Sequence, residues 1–138
     1  MAVHAGLLRL ETAGHGAIVD ITEGVSSVVR QSGAAEGVAT VAAVGSTVAV
    51  TTMEYEPGGV QDLTEALERL IPARGDYAHN RLNHDTNSYA HMRAAILGPS
   101  ESIPVVGGRL ALGTWQQLVL LDFDDRARRR TVHVHVTS

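Results

Sequence analysis

At 138 residues and 44% hydrophobic content, the chain has the size of one domain spanning residues 1–138, and no run of about 18 apolar residues offers a membrane span. A net charge of −4 gives no electrostatic case for nucleic acid, and all 11 basic residues are arginine, which removes Schiff-base lysines and the lysine of a P-loop. Zero cysteines exclude disulfides, thiolate nucleophiles and Cys-ligated zinc, and with an N-terminus unlike a signal peptide they lead us to expect a cytoplasmic protein.

In chain order, "MAVHAGLLRLET" and "HGAIVDI" read as two short strands around the turn "AGHG". "DITEGVSSVVRQSG" reads as a helix, with Asp20 as cap, Glu23 as return partner in a capping box, and Gly33 at the C-terminal end. "GVATVAAV" and "STVAVTTMEYE" read as strands, with Gly45 marking a bulge or a close backbone approach. "EPGG" reads as a turn before a second helix, "GVQDLTEALERLIP", whose Leu63, Ala66, Leu67 and Leu70 recur at helical spacing. "YAHNRLNHDTNS" reads as polar loop and "YAHMRAAILG" as a short helix ending at Gly98. After a turn at Gly107-Gly108 the chain returns to strand, and "RRRTVHVHVTS" alternates as a final strand entered through "DDRA". Strands dominate with two or three helices between them, so the expected class is α+β with a mostly antiparallel sheet.

The segment "YAHNRLNHDTNSYAH", residues 77–91, concentrates His79, His84, His91, Asp85 and three asparagines. Two imidazoles and a carboxylate from His79, Asp85 and His91 can bind a divalent metal, or serve as acid and base near neutral pH. The spacing matches no compact metal motif, so a polar loop with structural hydrogen bonds stays open beside both. Elsewhere, "VHVHV" puts His133 and His135 on one strand face, which reads as an exposed face before it reads as a chelate. Ser46 and Thr47, next to Gly45, offer hydroxyls and amides to phosphate oxygens. Glu54 and Glu56 alternate with apolar neighbours, so either one of them faces a cleft or both are solvated. Arg128 and Arg130 either tip a charged hairpin or point alternately into a phosphate pocket. Trp115, the only tryptophan, is a core anchor or the wall of a planar-ligand pocket.

Three segments in this order, "GSTVAVTTMEYEPG", "YAHNRLNHDTNSYAHMRAAILGPS" and "IPVVGGRLALGTWQQLVLLDFDDRARRR", resemble the successive signatures of the YjbQ-like family, over the chain from about Asp20 to its end. The resemblance implies a barrel-like sheet, a homotrimer, and a secondary thiamine-phosphate synthase activity that joins a pyrimidine pyrophosphate to a thiazole phosphate. It implies catalytic roles for His79, Asp85, His91 and Glu54, with His79, Asp85 and His91 as ligands of a divalent metal (Mg or Zn). Substrate contacts fall to Ser46, Thr47, Asn87, Trp115, Gln116, Arg128 and Arg130, around a small phosphorylated heterocycle. Many members carry His where this chain has Gly45. A metal-dependent hydrolase and a non-catalytic ligand- or metal-binding module are the alternatives.

Overall fold

The computed structural model describes residues 1–138. Strands β1 (Val3–Thr12) and β2 (Ala17–Asp20) flank the "AGHG" turn, and α1 (Thr22–Ser32) follows. Next come β3 (Glu36–Ala43), β4 (Val48–Met53), α2 (Pro57–Leu70), α3 (Ala78–Asn83) and α4 (Ser88–Leu97). The chain closes with β5 (Ser100–Val106), β6 (Arg109–Leu110), β7 (Gln117–Asp122) and β8 (Arg128–Thr137). The class is α+β as expected, and every strand pairing is antiparallel. The strands form a curled, open half-barrel made of two sheets rather than one closed wall. Five strands run in the order β1-β8-β3-β5-β6, and three in the order β2-β7-β4.

Side-chain alternation explains the layering. On β7, Leu118 and Leu120 join Val132, Val134 and Val136 of β8, Ala39 and Val41 of β3, and Val25, Val28 and Val29 of α1 in one core between the sheets. Val119 and Leu121, on the opposite face of β7, pack with Ala49, Phe123, Leu67 of α2 and Tyr89, Ala90 and Ala94 of α4 in a second core. β7 is therefore buried on both faces, which accounts for its unbroken apolar run "LVLL". The outer face of the five-stranded sheet stays open.

Several local expectations need correction. The capping box on α1 does not form: Asp20 accepts the Thr22 amide at 2.9 Å, while Glu23 turns outward to Arg30 at 2.6 Å. Glu23 lies on the exposed side, where an arginine two turns along the same face competes for it. "EPGG" is the first turn of α2 rather than a separate turn, because the Glu56 carboxylate caps the Gly58 and Gly59 amides and Pro57 suits the first position. Leu70 is 77% exposed, so the apolar stripe of α2 ends at Leu67. The polar loop contains the six-residue helix α3, which raises the helix count to four. No helix is long and apolar enough to cross a membrane.

Candidate functional site

The α3–α4 hairpin is short, and this is what brings distant loop residues together. His79 sits in the first turn of α3, His84 ends that helix in the left-handed conformation at φ 50°, and Asn87 immediately precedes α4. The turn folds Asp85 and Asn87 back over His79. His79 Nε2 lies 3.7 Å from Asp85 Oδ2 and 3.1 Å from the Asn87 side-chain amide. With its NH2 on that side, Asn87 donates to His79 Nε2 at 3.1 Å and to both Asp85 oxygens at 3.3 and 3.2 Å, and only this orientation matches donors to acceptors. Nε2 is then an acceptor, which puts the proton of the neutral ring on Nδ1.

His91, one turn into α4, brings its ring centroid to 4.8 Å from that of His79, with the planes at 60°. Its Nδ1 lies 3.2 Å from the Ser46 carbonyl, the geometry of an Nδ1–H donor that leaves Nε2 free. His79, Asp85, Asn87 and His91 thus converge, and His91 ties them to the β3–β4 turn. A cavity of about 360 Å³ opens there between Gly45, Ser46, Val48, His91, Ala94, Ala95 and Pro99. His84 stands outside the group as the α3 cap, and His133 and His135 lie on the outer sheet face. The donors are not preassembled as a metal cage: no three His, Asp or Glu side chains are placed to hold one ion.

The β3–β4 turn carries an unusual set of donors. The backbone N–H groups of Gly45, Ser46 and Thr47 bond to no protein acceptor. Gly45 has φ +143°, and a Cβ there would come within 2.7 Å of Arg130 Nη1 and 3.0 Å of Val48 Cγ1. The absent side chain therefore leaves an opening whose floor is a guanidinium nitrogen.

The two arginines expected to reach into a phosphate pocket do point inward, but they hold carboxylates. Arg130 grips Asp122 with two bonds, Nε to Oδ2 at 2.7 Å and Nη2 to Oδ1 at 2.8 Å, and also donates from Nη2 to Thr47 Oγ1 at 2.8 Å. Arg128 donates from Nε to Asp124 Oδ2 at 2.7 Å. Thr12 donates to Asp122, and Thr47 to Asp124 at 3.3 Å. Arg128 Nε and two of the three Arg130 nitrogens are thus committed, and Thr47 is a buried bridge rather than a free hydroxyl. Of the Arg130 nitrogens, Nη1 alone bonds to nothing in the protein. Since no buried side-chain polar atom lacks a partner, Nη1 keeps contact with solvent.

This network shifts proton affinities. Burial would raise the Asp124 carboxyl, but the Arg128 bond, the Asp125 amide and the guanidinium charge outweigh it and hold it at about 2. Asp122 is likewise lowered against its burial by bonds from Arg130 and Thr12. Arg130 is raised, chiefly by its bond to Asp122. From the sequence Asp122 and Asp124 read as acids of a charged hairpin tip with surface ion pairs, whereas both are buried, and Thr12 is not singled out, although strand parity marks Asp122 and Thr12. Arg130 shares a face with core residues Val132 and Val134, and Asp122 with Leu118 and Leu120.

The remaining candidates are not brought to this place. β4 pairs Val48 with Asp122 at one end and Met53 with Gln117 at the other. Glu54, Trp115 and Gln116 sit at the Gln117 end, roughly 20 Å from Thr47 along a strand rising about 3.3 Å per residue. Glu54 is exposed, and Trp115 is 73% exposed, neither core anchor nor pocket wall. Gln116 accepts the Gly113 amide at 3.0 Å and donates to Thr52 at 3.1 Å, at the edge of a separate 570 Å³ cleft beside α1. The resemblance grouped them with the histidines, but within one chain the length of β4 keeps them apart.

Residues 7–138 match the family described as UPF0047 protein YjbQ-like. A UPF0047 protein of Archaeoglobus fulgidus is 39% identical over 125 residues, covering 91% of this chain and 95% of that protein. One from Methanothermobacter thermautotrophicus is 35% identical, covering 94% and 90%. Among solved structures, a hypothetical protein of Aeropyrum pernix K1 superposes with a TM-score of 0.90 at 34% identity, covering 97% of this chain and 98% of that one. A YbjQ-like protein of unknown function from Sulfolobus solfataricus P2 gives 0.88 at 27% identity, covering 98% of each. The chain belongs to the YjbQ-like UPF0047 family.

Proposed function

We propose that this chain is a transferase for a small phosphorylated heterocycle, with thiamine-phosphate synthesis as its reaction. One observation carries the reading: two converging imidazoles stand beside an unfilled set of anion donors. Three free amides at Gly45, Ser46 and Thr47, with Arg130 Nη1 beneath them, suit phosphate oxygens in a chain that has no lysine. In the reaction, the thiazole nitrogen attacks the methylene carbon bearing pyrophosphate. The new C–N bond forms as the C–O bond breaks, and pyrophosphate leaves with the bonding pair. The developing negative charge is met by the amides, by Arg130 Nη1 and by a protonated His91. Asp85 and Asn87 orient His79.

The donor set does not suit a structural zinc site. It suits Mg²⁺ entering with the pyrophosphate, with Asp85 as its single protein carboxylate. Four edge strands and an exposed Trp115 support a homotrimer, in which the Trp115 end of one copy can meet the histidines of the next. The setting we take is cytoplasmic.

The test supplies both phosphorylated substrates and Mg²⁺ to untagged protein and follows thiamine phosphate. Product is expected from the native chain, and His91→Ala should lower the rate by about 10²–10⁴ with the fold intact by circular dichroism. Phosphate release from either substrate alone would instead identify a hydrolase. Saturable pyrophosphate binding with no turnover would identify a binding module. Either result overturns the transferase reading.

A further inference from the structure

The outer face of the five-stranded sheet carries a second pair of imidazoles that the site above does not use. On β8 the inner positions are Val132, Val134 and Val136, so Thr131, His133, His135 and Thr137 stand on the opposite face. Leu7 and Ala42 flank His133 across the ladder, and Ala5 and Thr40 flank His135. Three of these four neighbours are small, so the rings are not screened. Neither ring is held by a hydrogen bond or an ion pair to the protein. They line a shallow depression of about 500 Å³ with Thr40, Ala42 and Thr137.

The geometry suits a shared ion. Ring centroids are 6.1 Å apart with planes at 88°. A metal about 2.0–2.1 Å from an imidazole nitrogen lies about 3.2 Å from the ring centroid, so two rings on one ion have centroids no more than roughly 6.4 Å apart. The observed pair falls inside that reach near its limit, where the two nitrogens lie nearly opposite each other across the ion. The backbone beneath is fixed, because β8 is an interior strand with a ten-residue ladder to β1 and a six-residue ladder to β3. The ligands therefore sit on a rigid element, and little order has to be gained on binding. No carboxylate lines the depression, which disfavours Mg²⁺ and Ca²⁺ and favours the imidazole-preferring ions.

We propose that His133 and His135 chelate one borderline divalent transition ion, of the Cu²⁺, Ni²⁺ or Zn²⁺ class, on the outer sheet face. The remaining coordination positions face solvent and are open to water or a small exogenous ligand. This site shares no residue with His79 and His91, and it stands or falls independently of the transferase reading.

The experiment titrates untagged protein with Ni²⁺ and with Cu²⁺ at neutral pH, by calorimetry and by the nitrogen hyperfine pattern of the copper signal. Comparison variants are His133→Asn, His135→Asn and the double variant His79→Ala/His91→Ala. Expected is one saturable ion per chain with two equatorial nitrogens, unchanged in the His79/His91 variant. Each single asparagine variant should weaken it about 100-fold, since even loss of an outer-shell partner costs 10–100-fold. Unchanged binding in the His133 or His135 variants overturns the proposal. So does loss of binding confined to the His79/His91 variant, or the absence of saturable binding in the native chain.

Discussion

Ser46 and Thr47 are neighbours, yet they face two regions built on opposite rules. Thr47 looks inward to Arg130, Asp122 and Asp124, where nearly every donor has an acceptor and the side chains are almost wholly buried. Ser46 looks outward to His91, where imidazole nitrogens, backbone amides and an open cavity remain uncommitted. In the first region charge is spent on charge, and the product is rigidity. In the second, that rigidity holds a turn whose donors wait for something else. The strongest run of basic residues in the chain, "RARRR", supplies the scaffold, and the weak-looking polar loop supplies the uncommitted groups.

The largest effect should come from breaking the inner region. Asp122→Ala leaves the Arg130 guanidinium buried without its two-bond partner, and removing one member of such a pair costs about 3–5 kcal/mol. His79→Ala, on a partly exposed side chain, should stay within about 1 kcal/mol. Urea unfolding of both variants measures the contrast. Equal losses would mean that the polar loop is as structural as the ion pairs.

Acid should separate the regions next. The Asp124 carboxyl is held at about 2, below its ordinary value, and Asp122 is lowered in the same direction. A depressed carboxyl contributes stability that is complete above the unfolded value near 4 and lost as pH falls through the folded one. The Asp124 share is about 2–3 kcal/mol, disappearing between about pH 4 and 2. Arg128→Met should flatten that acid limb, because the bond that lowers Asp124 is gone. Unfolding curves collected from pH 5 to 2 test this, and an identical acid limb in the variant would remove Arg128 as the cause.

How much of this was legible follows from what each signal can encode. Strand alternation made the sheets readable, and Gly33 and Gly98 marked the ends of α1 and α4 correctly. The same alternation placed Arg128 and Arg130 inward, but it does not say what an inward arginine meets. Asp122 and Asp124 sit on β7 and the turn after it, and only the packing of the β2-β7-β4 sheet against the sheet that holds β8 brings them opposite the arginines. His79, Asp85 and His91 were visible as a local concentration, and their convergence depended on α3, a single short helix with a weak local signature. The grouping of Trp115, Gln116 and Glu54 with them came from resemblance, which carries family positions but no distances within one chain.

Gly45 joins the two regions, and its substitution should have a smaller, mixed effect. Gly45→Ala must adopt φ near +143° and press a methyl toward Arg130 Nη1, at a cost of about 1–3 kcal/mol in stability. The methyl also occupies the opening above the guanidinium. Pyrophosphate affinity should fall about tenfold, equivalent to about 1.4 kcal/mol, as measured by calorimetry on the folded variant. Unchanged affinity would separate the turn from the anion site.

The smallest effect on folding, and the most informative about assembly, belongs to Trp115→Ala. A side chain 73% exposed in the isolated chain touches little, so monomer stability should move by no more than about 0.5 kcal/mol. Yet a large exposed aromatic beside an edge strand is what a subunit contact would use. If the far end of β4 completes the histidine site of a neighbouring copy, the native chain sediments as three subunits. Trp115→Ala should then shift mass toward the monomer and lower transferase rate while each chain remains folded. The His79→Ala variant supplies the contrast, because it should lose rate and keep its mass. A native chain that sediments as a monomer at micromolar concentration leaves the two ends of β4 roughly 20 Å apart. Glu54, Trp115 and Gln116 then have no path to the histidines, and the site contracts to His79, Asp85, Asn87, His91 and the Gly45 turn.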